Sequence, residues 1–479
     1  MNPGELFQNA VLFKDLTQWF RSRGFLGLFF GLLAFSYGLY ALAFFLWTGV
    51  AGAKIVVILS ILLLLYGLSL MVSSYSSTMA DRQNGSFELY ELTGILPPGL
   101  VWGKLSSLVI RFVFGYFCIA PFIMLGYFFG GVDFSEIAQW FAFLLLAAVF
   151  IFLASLAVSF TLSRRNWGLL SLGALAGLFA MIFQINSFSP AYHRPAVYYV
   201  IYYLSALLIY ALACFLLFCF CCHRVGRRQG VYSSWVRFSV FCLSLVILLT
   251  PVYMKFLFHG VGYRDTCELG NVLLWFMTWP LFLWVALAQS ICFGSVSVPA
   301  MAEKAARSSR SRIARLYYLF FGPGPEAGFR TVLSLWVFSS MLFLLTFSLH
   351  DYHGLEQTVC VAPYFAAMPG TLLFLLPGLR RRRWAFYLCI AAFWGLFLVM
   401  GSASGPLSDL ERFWERPDWN HSEVIVRWGI MGLPFMGSYG SRLQDWAAPF
   451  AGLAAGALGM LGLSLTLYFR TRANNKESA

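Results

Sequence analysis

The chain has 479 residues, of which 60% are hydrophobic, 19% aromatic and only 11% charged, with a formal net charge of +13. A soluble domain carries about 25% charged residues, so an ordinary soluble enzyme or binding module is excluded. Apolar stretches recur along the whole length, and a run of about 18 residues crosses a ~30 Å hydrocarbon core as a helix. Helices satisfy their own backbone hydrogen bonds where lipid cannot. The expected fold class is therefore an all-α integral membrane protein of about 12 transmembrane helices in two six-helix halves, 1–230 and 231–479.

The expected spans are 25–47, 55–72, 105–130, 138–163, 167–188, 197–222, 238–254, 271–297, 331–349, 362–379, 384–401 and 446–469. With both termini cytoplasmic, 24 of the 33 Lys and Arg residues fall inside, 8 outside and one, Arg111, within a span. The acidic residues divide 8 inside and 12 outside, leaving the inside +16 and the outside −4. That asymmetry follows the positive-inside rule, so the basic balance needs no nucleic-acid partner.

Before the first span, Leu6, Ala10, Phe13, Leu16 and Phe20 recur at helical spacing. They read as an amphipathic helix, either lying on the inner membrane face or packed on the rest of the protein. The same stretch holds Lys14, Asp15, Arg21 and Arg23 and lacks the apolar core of a cleavable signal. Gly27 and Gly31 in the first span have a spacing suited to close helix packing.

After the second span comes Met79–Lys104, a polar island in an apolar chain. Asp81 to Thr93 reads as a short inner-surface helix with Arg82, Glu88 and Glu91 on its polar face. Pro97-Pro98-Gly99 breaks it. Trp102 and Lys104 are expected as membrane anchors where the chain re-enters. Arg111 has two readings: an intramembrane functional charge, or a side chain that snorkels back to the inner headgroups.

The second half repeats this plan. A shift of 226 residues sets Pro97 on Pro323 and Lys104 on Arg330. Its cytoplasmic segment, 298–330, is basic through Lys304, Arg307, Arg310, Arg312 and Arg315. The loop 402–445 is the longest outside and reads as re-entrant or as tucked against the span ends.

Other motifs carry less. Cys219-x-x-Cys222-His223 has the spacing of a haem attachment site but overlaps an apolar span end on the cytoplasmic side. Eight of the ten cysteines sit in or beside spans as small apolar residues, leaving Cys267 and Cys360 in outer loops. His350 and His353 lack a third metal ligand. Gly99-x-x-x-Gly103-Lys104-Leu105 fails as a phosphate loop in both spacing and final residue. No catalytic residues, metal site or nucleotide-binding motif is expected, so the chain is not read as an enzyme.

Asp81-Arg82, Gly85-Ser86, Glu88-Leu89, Thr93, Pro97-Pro98 and Gly103-Lys104 together resemble the cytoplasmic loop of ATP-binding-cassette type-2 permeases, the exporter class. The likeness spans about residues 5–225; the second half shares the topology without the acidic part of the motif. It implies a multi-pass permease subunit of the cell inner membrane, with no cofactor of its own. The resemblance assigns ATP and magnesium to a separate cytosolic ATPase, which docks on a coupling helix. Asp81, Arg82, Gly85, Ser86, Glu88, Glu91 and Thr93 would be the docking residues. Membrane lipids, and a second permease subunit or a homodimer, complete the expected partners. Two rival readings are a twelve-helix secondary transporter and a non-transporting membrane scaffold.

Overall fold

The computed structural model describes residues 10–46, 52–92, 95–128, 133–161, 196–226, 231–257, 311–322 and 325–348, with residues 457, 461, 464, 465 and 468 further on. Among these the chain is helical and holds no strand. In order the helices are α1 (Ala10–Phe20), α2 (Arg23–Leu46), α3 (Gly52–Gln83), α4 (Ser86–Leu92) and α5 (Pro97–Phe128). There follow α6 (Phe134–Thr161), α7 (Ala196–Val225), α8 (Val231–Leu257), α9 (Arg312–Phe321) and α10 (Pro325–Ser348).

Four stretches among the described residues are long and apolar enough to cross a membrane: Gly24–Ala41, Ile55–Gln83, Pro97–Leu125 and Leu207–Val225. Such a set is that of a helical membrane protein. The spans expected at 167–188, 271–297, 362–379 and 384–401 lie outside the described residues, as does nearly all of 446–469. So do Cys267, Cys360, His350, His353 and the loop 402–445.

Residues 1–193 with 214–228 form one compact unit, and 194–213 with 229–479 another; each is taken by itself. In the first, α3 and α5 pair closely, α1 and α2 pack on α5, and α6 packs on both members of the pair. At 32 residues each, α3 and α5 are about 48 Å long and outrun the hydrocarbon core. They approach at two glycines. A Cβ on Gly67 would lie 3.2 Å from the Phe112 ring, and one on Gly115 would overlap the ring of Tyr66. Tyr66 also donates its hydroxyl to the Arg111 carbonyl at 2.8 Å. Small residues draw membrane helices together in this way. Among the described residues Gly27 and Gly31 do not take that role, because a Cβ on either meets nothing there within 4 Å.

The expected helix 81–93 is divided. α3 runs on through Asp81 and Arg82, and the chain turns at Asn84-Gly85 before α4 begins. Gly85 has φ +70°, the left-handed conformation that ends helices and suits glycine. Pro97 and Pro98 open α5, where a missing N–H costs no helical bond.

The N-terminal helix carries two apolar stripes. Val11, Leu12, Asp15 and Trp19 are buried, while Phe13 and Phe20, from the row expected in the sequence, are exposed. The protein-packed face is thus a different one from the predicted membrane face, and both exist on one helix. Ser22 closes the corner into α2, accepting the Phe25 N–H on its hydroxyl at 3.2 Å, as an N-cap does. Trp19, Phe25 and Phe114 then pack around that corner with ring centroids 4.6 to 5.9 Å apart.

In the second unit α8, α9 and α10 pack together. α9 and α10 repeat the order of α4 and α5, a short helix followed by a long one opened by proline. α9 starts at Arg312, the residue that the 226-residue shift sets on Ser86, the first of α4.

Candidate functional site

The polar island closes on a cluster of charges shared by α1, α3, α4 and α5. Its centre is Lys104, buried on the first turns of α5. The Lys104 ammonium lies 2.7 Å from Asp81 Oδ2 and 3.6 Å from Asp15 Oδ2. Asp81 uses its other oxygen for Lys14, at 3.2 Å. Lys14 also donates to the Tyr90 hydroxyl of α4 at 2.9 Å and lies 5.5 Å from that ring's centre. Two carboxylates and two lysines thus bind the end of α3, the start of α5, the short α4 and the N-terminal α1.

The arrangement answers the cost of burial. An ammonium removed from water is expensive unless its charge and protons are met. Lys104 has carboxylates from two helices to meet it. Sequence reading placed Lys104 as an interfacial anchor; in the structure it faces these acids, with its side chain 3% exposed. Lys14 is more open. Burial draws its pKa down, but the Tyr90 hydroxyl and the Asp81 carboxylate outweigh that and hold it above its ordinary 10.5.

Arg111 lies beyond Lys104 on α5 and is buried. Its Nη2 donates to the Asp15 backbone carbonyl at 2.6 Å, and its guanidinium stands 5.5 Å from the Trp19 ring centre. Helix side chains lean towards the N-terminus, and Arg111 reaches that way, as a snorkelling arginine does. It ends on α1. Among the described residues its Nε finds no hydrogen-bond partner.

Arg82 leaves the cluster on another side, donating to the Phe160 carbonyl of α6 at 3.3 Å. Phe87 of α4 packs its ring 5.7 Å from that of Phe160. Trp102 is 39% exposed and meets Phe218 edge-on at 6.3 Å, a placement open to an interfacial role.

The structure therefore brings Asp81, Lys104 and Arg111 together with Lys14, Asp15 and Tyr90, which the sequence reading did not assign to a site. Those three stand 67 to 96 residues from their partners. A clue was present: Lys14 and Asp15 are the two charges of a short helix with apolar residues on either side of them. Gly85 forms the turn and Ser86 the first residue of α4. The side chains of Glu88 and Glu91, and the whole of Thr93, lie outside the description.

Cys219, Cys221 and Cys222 are buried on α7, and Cys221 donates to the Leu153 carbonyl at 3.8 Å. Among the described residues no group of three His, Cys, Asp or Glu side chains could hold a metal ion. Family models, characterised proteins and solved structures alike give no match to this chain.

Proposed function

We propose that the chain is the membrane-spanning permease subunit of an ATP-driven exporter of the inner membrane, moved by a separate ATPase that docks on α4. The observation that carries this reading is mechanical. α4 is seven residues long, stands close in sequence to a membrane-length helix on either side, and is tied to α1 by Lys14–Tyr90. The adjoining end of α3 is tied to α5 by Asp81–Lys104. A push on α4 has little slack to take up, so it shifts α1, α3 and α5 together, a rigid-body switch of the kind transporters use. In this reading Glu88 and Glu91 are the docking charges, while Asp81 and Arg82, turned onto α5 and α6, transmit the motion.

The buried acids and cations favour a second reading, a secondary transporter that uses them to bind a coupling ion. The cluster lies at the helix ends, however, whereas ion sites of such transporters lie near the midplane.

Purification of the full-length chain from its own membranes, with and without Glu88→Lys/Glu91→Lys, tests the proposal. The wild-type chain is expected to carry an ATPase and the reversed chain to lose it. Association untouched by the reversal, or uptake driven by a proton gradient in the isolated chain, contradicts it.

A further inference from the structure

α9 has ten residues and is about 15 Å long, half of a bilayer core. One face is committed to the protein. The rings of Tyr317 and Phe321 lie 5.6 and 5.3 Å from Phe238, and Phe321 lies 5.4 Å from Phe241. The carbonyls at its C-terminal end are also taken. Thr331 donates to Phe320 O at 2.6 Å, Arg330 to Leu319 O at 3.2 Å and Arg237 to Gly322 O. Cations suit the negative end of a helix. These bonds fix which face α9 turns away from the protein.

That outward face carries Ile313, Leu316 and Leu319, exposed by 79%, 56% and 46%. Residues three apart share one side of a helix. Exposed aliphatic side chains on a membrane-length helix face acyl chains. On a helix too short to span, a fixed aliphatic row marks a contact made along its side. The sequence supplies the chemistry of that contact. From Lys304 to Arg315 there are five cations, Lys304, Arg307, Arg310, Arg312 and Arg315, and no carboxylate.

We propose that α9 docks on an anionic lipid surface, drawn to it by the positive charge of the sequence from Lys304 to Arg315. The row Ile313, Leu316 and Leu319 enters the boundary between headgroups and acyl chains, with the exposed Arg312 beside it at the phosphates. Charge distinguishes α9 from α4, the short helix at the corresponding place in the sequence. α4 carries Glu88 and Glu91, which anionic lipid repels, whereas the α9 segment carries only attraction. The assignment is independent of any ATPase.

The test is hydrogen–deuterium exchange on the full-length chain in nanodiscs of phosphatidylcholine, alone or with about a third phosphatidylglycerol. Exchange in Arg312–Phe321 is expected to slow about tenfold with the anionic lipid, since basic residues near such a surface are drawn to it. Salt of about 1 M shortens the screening length to ~3 Å and is expected to reverse the effect. Arg307→Gln/Arg310→Gln/Arg312→Gln/Arg315→Gln is expected to abolish it. Should that variant not accumulate, the lipid dependence and salt reversal of the wild-type chain decide the matter. Equal exchange in both lipids, or slowing that needs an added protein or nucleic acid, overturns the proposal.

Discussion

Lys104 shows how a few side chains set the behaviour of the island. It is buried between Asp81 and Asp15, and removing Asp81 leaves the buried ammonium only the more distant carboxylate, at 3.6 Å. Asp81→Asn is expected to cost about 3 kcal/mol for that reason. Asp81→Leu combined with Lys104→Met removes both ends of the 2.7 Å pair and is expected to cost less than the sum of the single changes. Thermal unfolding of the four proteins in one detergent measures the coupling; additive losses would mean that the pair does not hold the helices. Lys14 adds a pH signature. Its folded pKa is raised above 10.5, so its contribution is complete below 10.5 and is lost as pH climbs through the folded value. The unfolding midpoint is expected to fall in that alkaline window more steeply for the wild type than for Lys14→Met. A limb unchanged in Lys14→Met would place the titrating group elsewhere.

Among the elements, the α3–α5 pair decides how closely α4 can be held. Its helices meet where Gly67 faces Phe112 and Gly115 faces Tyr66. Gly115→Leu is expected to destabilise the chain by about 2 kcal/mol or more, since overpacked contacts force rotamer and backbone shifts. Tyr66→Ala should recover part of that loss by emptying the same space, and the two changes are read by unfolding and by yield in the membrane. Full additivity would show that the helices do not meet there.

The same elements show what could be read from sequence. The long apolar runs of α2, α3 and α5, and a short helix between α3 and α5, were legible because length and hydropathy are local. The division at Asn84-Gly85 was not, since polar residues continue across it and the left-handed turn shows only in the backbone. α1 looked like a helix with one apolar stripe. Its second stripe, with Asp15 inside it, becomes intelligible only once Lys104 and Arg111 supply partners from α5. Spacing singles out Gly27 and Gly31, but spacing alone does not say which glycine meets a ring, as Gly67 and Gly115 do.

For the whole molecule, two short helices occupy corresponding places in the sequence and are tied differently. α4 and the adjoining end of α3 are held by ion pairs and a tyrosine, whereas α9 is held through carbonyls at its end. The first carries Glu88 and Glu91 in its sequence, and the second presents an aliphatic row beside basic residues. That division supports one motor contact and one lipid contact. The most direct measurement places a photoreactive residue at Glu88 or Glu91 of the full-length chain in intact cells and identifies what is cross-linked. The account predicts a cytosolic ATPase whose yield changes when nucleotide is depleted. Cross-links confined to lipid or to this chain itself would contradict it.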